Sequence, residues 1–245
     1  MLKKILKATG VFLCIATIAG TTISVVDNKK CIKKHRDSNK HNNLYEKYIK
    51  RIFDFVLSLS FILVFWWLYI IIALLVKIKL GSPVLFVQKR PGKDGELFNM
   101  VKFRTMLNST DKNGNLLSDE ERLTHFGKVL RSTSLDEIPE VFLILTGKMS
   151  IVGNRPLLPE YMGRYTEEQN RRHEVKPGLT GYAQVNGRNA ISWEEKFKLD
   201  VWYVDHVSFL LDLKIFIQTV GVVFNRTGIS SETSVTMEEF KGTSI

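Results

Sequence analysis

Residues Phe55 to Val76 read FVLSLSFILVFWWLYIIIALLV, 22 residues without a charge. As a helix rising ~1.5 Å per residue, the run spans roughly 33 Å, about the thickness of a bilayer core. Aromatic residues cluster inside it, and basic residues flank it, Lys50–Arg51 before and Lys77 and Lys79 after. A buried core helix is the competing reading, and the basic, aromatic-rich setting favours the membrane.

Upstream, the charge is one-sided. Residues 1–51 hold 12 Lys/Arg against 3 Asp/Glu, whereas the remainder is nearly balanced, so the net +10 belongs almost wholly to an N-terminal arm. A basic arm beside an apolar segment fits anionic lipid headgroups. Nucleic acid is the rival partner for such an arm. The arm lacks interleaved aromatics and runs directly into the apolar segment, so no nucleic acid is expected. Residues 1–26 are moderately apolar behind Lys3, Lys4 and Lys7 and resemble a signal peptide. No A-x-A cleavage site follows, and an extra transmembrane helix is the preferred reading. The nine Lys/Arg of residues 28–51 keep that arm on the cytoplasmic side. Cys14 and Cys31 are the two cysteines, and their spacing implies neither a disulfide framework nor a metal site.

Downstream, Gly81–Ser82–Pro83 ends the helix, and Val84 to Gln88 alternates like a short strand. Turns at Pro91–Gly92 and Asp94–Gly95 precede a second strand-like run, Leu97 to Phe103. Asp111, Asn113 and Asn115 mimic an EF-hand start, but Leu116 and Arg122 stand where Gly and Glu are required, so DKNGN is a loop. The histidines show no ligand pair, and neither a Walker loop nor a GxGxxG fingerprint is present. Trp193 to Phe224 repeats apolar residues at three- and four-residue intervals, an amphipathic helix that either packs in the core or lies in the membrane interface.

The stretch Arg131 to Glu140 (RSTSLDEIPE) is the richest in chemistry. Its spacing alone reads as a capping box, Ser134 with Glu137, at a helix start. Yet Asp136 and Glu137 are adjacent carboxylates, and near a helix start they repel unless a cation offsets them. A divalent metal would do so and would also draw in an anionic phosphate. Arg155 and Arg188 sit beside turn residues, and Lys102 and Arg104 end a strand-like run. Each is by default a solvated charge, but Arg on a tight turn suits bidentate phosphate binding.

Five blocks carry a resemblance: KRIFDF (50–55), KFRTM (102–106), RSTSLDEIPE (131–140), MSIVGNRPLLPEY (149–161) and KPGLTGYAQVNGRNAISWEEKF (176–197). From about Tyr45 to Ser231 the chain resembles the small monotopic phosphoglycosyl transferases, or bacterial sugar transferases. Among them it looks most like the enzyme that opens bacterial N-linked protein glycosylation. The resemblance implies transfer of a sugar phosphate from a UDP-sugar, by that likeness an N-acetylated amino-sugar, to polyprenyl phosphate, with UMP released and Mg²⁺ required. It implies Asp136 as nucleophile, forming a phosphosugar-aspartyl intermediate, and Glu137 as the residue holding Mg²⁺. Arg131, Arg155 and Arg188, with Lys102 and Arg104 behind them, would neutralise phosphate. A catalytically inactive membrane scaffold of a glycan assembly complex is the alternative.

The expected fold class is α/β: a membrane-anchored chain with a re-entrant or spanning N-terminal helix and a compact, mainly helical cytoplasmic catalytic domain with short strands. Its expected divisions are an apolar segment at 1–26, a basic arm at 27–51, the membrane helix at 52–80, the catalytic domain at 81–232 and a tail at 233–245. The expected location is the bacterial inner membrane, with that domain facing the cytoplasm. Two departures from the family pattern stand out. Trp66–Trp67 replace a kinking Ser-Pro pair, and without Pro the helix need not bend; the charge of the arm still favours re-entry. Asn154 replaces a Pro before Arg155.

Overall fold

The structure, a computed structural model, describes residues 44–187, 191–225 and 239–242. The segment 1–26, the arm up to residue 43, Arg188 and most of the tail lie outside the described residues. A π-helical turn, Tyr45–Ile49, leads into α1, Lys50–Leu80. Together they form a 36-residue helix long and apolar enough to cross a membrane, and only 11% of its most apolar window is buried.

The base of α1 is polar on its inner side. Lys50, Asp54 and Ser58 recur every fourth residue, so they share one face, and all three are buried. Lys50 donates to the Asp212 carboxylate and, at 3.1 Å, to the Tyr203 hydroxyl. The hydroxyls of Tyr45 and Tyr203 donate to the two oxygens of the same Asp212, each at 2.7 Å. Asp54 Oδ1 accepts the backbone N–H of Ile151 at 2.9 Å. Arg51 donates to the carbonyls of Ile144 and Leu145, both at 2.7 Å. Lys50 and Arg51, which the sequence assigns to the membrane flank, instead bind inside the protein. A buried carboxylate and helix-end carbonyls are stronger partners for them than hydrated headgroups.

Further along, α1 is interrupted. Phe65 leaves the helical region (φ −109°, ψ 19°). This corrects the expectation that a proline-free helix need not bend. The indole N–H of Trp67 donates to the carbonyl of Val64 at 3.1 Å, and the Phe65 ring lies 4.8 Å from that of Phe61. A side-chain donor inserted into the ladder is a recognised cause of a kink, so the aromatic pair does here what a proline does elsewhere. Beyond the break, Ile72, Val76 and Leu80 are buried with Phe103, Leu130 and Ile138. Both ends of α1 are thus seated on one body, while Leu63 to Trp67 are exposed.

Strands β1 (Leu85–Pro91) and β2 (Leu97–Phe103) form an antiparallel hairpin, with Leu85 opposite Phe103 and Pro91 opposite Leu97. The alternating pattern located the second strand and the first half of the first. A loop follows in which Asp111 accepts the N–H groups of Asn113 and Asn115, folding DKNGN on itself. Helices α2 (Asp119–Arg122) and α3 (His125–Ser132) open on Ser118 and Thr124, whose side chains accept the N–H groups of Glu121 and Gly127. After α4 (Glu140–Leu145), β3 (Ser150–Val152) pairs in parallel with β4 (Gly178–Thr180), and α5 (Glu167–Asn170) lies in the connection.

The chain then runs through α6 (Tyr182–Asn186), α7 (Trp193–His206) and α8 (Phe209–Asn225). The amphipathic run read as one segment is therefore two helices, separated at Val207–Ser208. In α7, Phe197, Val201 and Tyr203 are core, whereas α8 exposes Phe209, Leu210, Leu213, Phe216, Ile217 and Val220 along one stripe.

Removing one partner of a buried ion pair strands the other charge. Lys50→Met is expected to lower stability by about 3–5 kcal/mol. Adding Asp212→Asn should restore part of that loss, since it removes the stranded charge and its amide oxygen can still accept from one tyrosine. Thermal or denaturant unfolding of the detergent-purified protein measures both, and a loss below about 1 kcal/mol for Lys50→Met removes the network from its structural role.

Candidate active site

The carboxylate pair hangs from an abrupt helix end. Ser134 adopts the left-handed region (φ 56°, ψ 18°) and its side chain makes no cap hydrogen bond, so the predicted Ser134–Glu137 capping box is not formed. Ser134 instead terminates α3: its N–H donates to the Arg131 carbonyl at 3.1 Å, the geometry of a left-handed C-terminal cap. A non-glycine residue there costs about 1–2 kcal/mol. The reversal places Leu135–Glu137 in a single 3-10 turn, and Pro139 then starts α4. Adjacent residues leave that turn in different directions, which separates the two carboxylates.

Their surroundings differ sharply. Glu137 Oε1 takes both Lys102 Nζ at 2.5 Å and Arg155 at 2.6 Å. Burial works to raise the Glu137 carboxyl, but Arg155 and Lys102 outweigh it and hold it well below the usual range. Asp136 is 8% exposed. Among the described residues no hydrogen bond or ion pair ends on it. Burial, reinforced by the neighbouring Glu137 charge, pushes it up to about 6. A third carboxylate, Glu140, is buried and shares Lys102 at 3.3 Å. Burial raises it too, against the opposing charge of Lys102.

Of these residues, Glu137 and Arg155 line a cavity of about 710 Å³, within the range of small-molecule sites. Phe61, Val64 and Phe65 of α1, Ile144 of α4 and Phe216 of α8 make it apolar on one side. Arg131, Glu137, Arg155, Arg172, Lys196 and Asp200 supply its charge. Ser134 and Glu137 line the wall, whereas Asp136, between them in sequence, is buried and is not one of the lining residues. Of the predicted basic residues, Lys102 and Arg155 meet at Glu137, and Arg131 lines the cavity, where its Nε donates to Thr105 at 3.0 Å. Arg104 is engaged elsewhere: it is buried and donates to the carbonyls of Leu80 and Ser82 at the end of α1. Arg188 lies outside the described residues.

The turn carrying Arg155 is fixed from behind. Asn154 is buried, and its amide donates to the carbonyls of Arg172 at 2.9 Å and Asp200 at 3.2 Å. Arg172 donates to Asp200 at 2.7 and 3.0 Å and to the Arg155 carbonyl at 2.8 Å. Backbones also touch here. A β-carbon on Gly178 would lie 2.1 Å from Gly153 N, and one on Gly181 would lie 2.1 Å from Gly153 O, so neither position has room for a side chain.

Over residues 45–226 the chain matches the family described as bacterial sugar transferase. The chain belongs to that family. It is 51% identical over 194 residues to the uncharacterized sugar transferase EpsL of Bacillus subtilis, covering 79% of this chain and 96% of that protein. It is 33% identical over 207 residues to the undecaprenyl-phosphate galactose phosphotransferase of Salmonella typhimurium, covering 76% of this chain and 43% of the relative. It is 38% identical over 181 residues to the UDP-glucose:undecaprenyl-phosphate glucose-1-phosphate transferase of Klebsiella pneumoniae, covering 70% and 39%. The chain thus spans nearly all of the Bacillus protein but under half of the other two.

In this sugar transferase, Arg172, Asp200, Lys196 and Glu140 belong to the site although the sequence did not single them out. Arg172 and Asp200 lie 28 residues apart, and no local spacing announces a pair of that kind. Glu140 stood inside the richest block, and its offset of four from Asp136 was the available signal. Among the described residues, no group of three or more His, Cys, Asp or Glu is arranged to hold a metal by itself. The donor set still fits Mg²⁺, which is usually bound through one or two carboxylates completed by substrate phosphate and water. Both cations on Glu137 end on the same oxygen.

The raised Asp136 pKa has a stability consequence. The folded state binds its proton more tightly than the unfolded chain, so the contribution is full below about pH 4 and is lost as pH rises through about 6. Asp136→Asn is therefore expected to be more stable than the wild type at pH 7, by about 3 kcal/mol at most, with the difference vanishing near pH 4. Unfolding curves across pH 4–8 test this, and parallel curves for the two proteins would refute the buried, charged Asp136.

Proposed function

We propose that this transferase moves a sugar 1-phosphate from a UDP-sugar to polyprenyl phosphate and releases UMP. The observation that carries this reading is the buried Asp136, next in sequence to Glu137, which Lys102 and Arg155 hold at the wall of a cavity that is apolar toward α1. A phosphate needs the cations and a prenyl chain needs the apolar wall. The names of the Salmonella and Klebsiella relatives carry the same two substrates, undecaprenyl phosphate in both and a UDP-sugar in the second.

An Asp136 oxygen attacks the sugar-proximal phosphorus, the bond to the bridging oxygen breaks, and its electron pair leaves with UMP. An oxygen of the lipid phosphate then attacks the same phosphorus, and the Asp136–phosphorus bond breaks to return the carboxylate. Arg155 and Lys102 orient and neutralise the transferred phosphate. Glu137 would hold Mg²⁺, which offsets the charge of the diphosphate when bound. An aspartate at about 6 is ionised at neutral pH and yet desolvated, which suits a nucleophile. The relatives are named for galactose and glucose, so the amino-sugar expectation gains no support from them, and a UDP-hexose is taken as the donor.

The membrane arrangement proposed is re-entrant, at the cytoplasmic face of the inner membrane. Three features support it: the break at Phe65, the seating of both ends of α1 on one body, and the exposed apolar turn between them. The outward stripe of α8 fits the membrane interface beside anionic headgroups.

Purified membranes should release UMP from at least one of UDP-glucose, UDP-galactose and the UDP-N-acetylated amino-sugars, and EDTA should stop it. Asp136→Asn should lose both UMP release and the labelled covalent intermediate, by a factor of at least about 10³. Robust turnover by that variant sinks the nucleophile; a wild type inert toward every donor hands the case to the scaffold alternative. Topology is tested separately. Cysteines introduced at Tyr48 and Lys89 should both be labelled from the cytoplasmic side of sealed vesicles, and labelling from opposite sides would establish a spanning helix.

A further inference from the structure

Glu140 has no part in the steps above, yet it is one of the most deeply buried charges in the molecule, 2% exposed. It opens α4, and β2 packs on both α4 and the 3-10 turn that ends at Glu137. Lys102, on β2, therefore stands between two carboxylates. Its Nζ lies 2.5 Å from Glu137 Oε1 and 3.3 Å from Glu140 Oε1. Among the described residues, no other ion pair ends on Glu140. The charges form a row leading inward: Arg155 and Glu137 line the cavity, whereas Lys102 and Glu140 do not.

Stability does not ask for this carboxylate. Burial raises Glu140 against the pull of Lys102, and a buried ionised group adds little over a neutral one of the same shape. What it supplies is direction. An ammonium is a compact charge with three equivalent donors, so against a single carboxylate it can settle over either oxygen. A second carboxylate restricts it to the place where both are within reach. Here Lys102 and Arg155 both end on Oε1 of Glu137, and among the described residues no hydrogen bond reaches Oε2. When ionised, Glu137 and Glu140 balance Lys102 and Arg155, so these four groups carry no excess positive charge to repel a divalent cation. We propose that Glu140 is a positioning residue: through Lys102 it keeps both cations on one oxygen of Glu137 and leaves the other open to Mg²⁺. The role deepens the reaction proposed above and rests on it.

Detergent-purified full-length protein tests this with Mn²⁺ as the probe, its free concentration read by electron paramagnetic resonance with UMP present. Glu140→Gln removes the charge and keeps the shape. It is expected to weaken Mn²⁺ binding roughly tenfold, the worth of a charged hydrogen bond, and to raise by a similar factor the Mg²⁺ needed for half-maximal UMP release. Lys102 keeps Glu137, so no charge is stranded, and Tm at pH 8 should stay within about 2 °C of the wild type or rise. Glu140→Asp retains the acid one methylene short of Lys102 and should lose as much Mn²⁺ affinity as Glu140→Gln. In a Lys102→Met background, Glu140→Gln should change that affinity less than about twofold, because the two residues act as a unit. Wild-type Mn²⁺ affinity in Glu140→Gln or Glu140→Asp, the same loss without Lys102, or a loss that travels with a lower Tm overturns the assignment. A wild type that binds Mn²⁺ but is inert toward every donor overturns instead the reaction on which it rests.

Discussion

Everything in this fold is referred to the carboxylate of Asp212. It receives Lys50 and two tyrosine hydroxyls in a buried setting, so four side chains from the start of the helix, α7 and α8 meet at one point. Arg51 and Asp54 extend the same anchorage to the end of α4 and to β3. Within five residues the chain therefore fixes an apolar helix against the strand that leads to Arg155 and the helix that follows Asp136. The long helix is a membrane element by composition, but its base is a structural member of the catalytic body. A buried ion pair of this kind adds little net stability over a well-packed apolar substitute; its effect lies in register, since only one placement satisfies every partner.

The site divides its carboxylates by environment. Glu137 sits under two cations and stays ionised, whereas Asp136 and Glu140 are pushed upward by burial. Three acidic groups of similar intrinsic acidity thus differ because of which oxygen each cation reaches. This is a costly arrangement for a fold, and enzymes keep such arrangements where chemistry requires them.

Much of this was legible in the sequence, and the failures have physical causes. The length of the apolar run and the bounds of β2 are set by local sequence, so they read correctly. The Ser134–Glu137 spacing satisfies a capping box, but the helix it would have capped does not start there, since Ser134 serves the helix before it. Local spacing cannot tell which of two helices a residue closes. The bend at Phe65 escaped because the rule consulted was proline, whereas the cause is an indole reaching back three residues. Arg104 read as a phosphate ligand by its company with Lys102, and on a continued strand the two would share a face; but β2 ends at Phe103, and Arg104 turns to the end of α1. Arg172 and Asp200 carry no signal at all until the chain is folded.

The contact between Gly153, Gly178 and Gly181 has a kinetic meaning. Because main chain rests on main chain there, the turn bearing Arg155 and the segment leading into α6 form one rigid block. The double displacement proposed above would bring a water-soluble nucleotide and then a lipid to the same phosphorus. With main chain resting on main chain, the turn bearing Arg155 would meet both ligands from one fixed position.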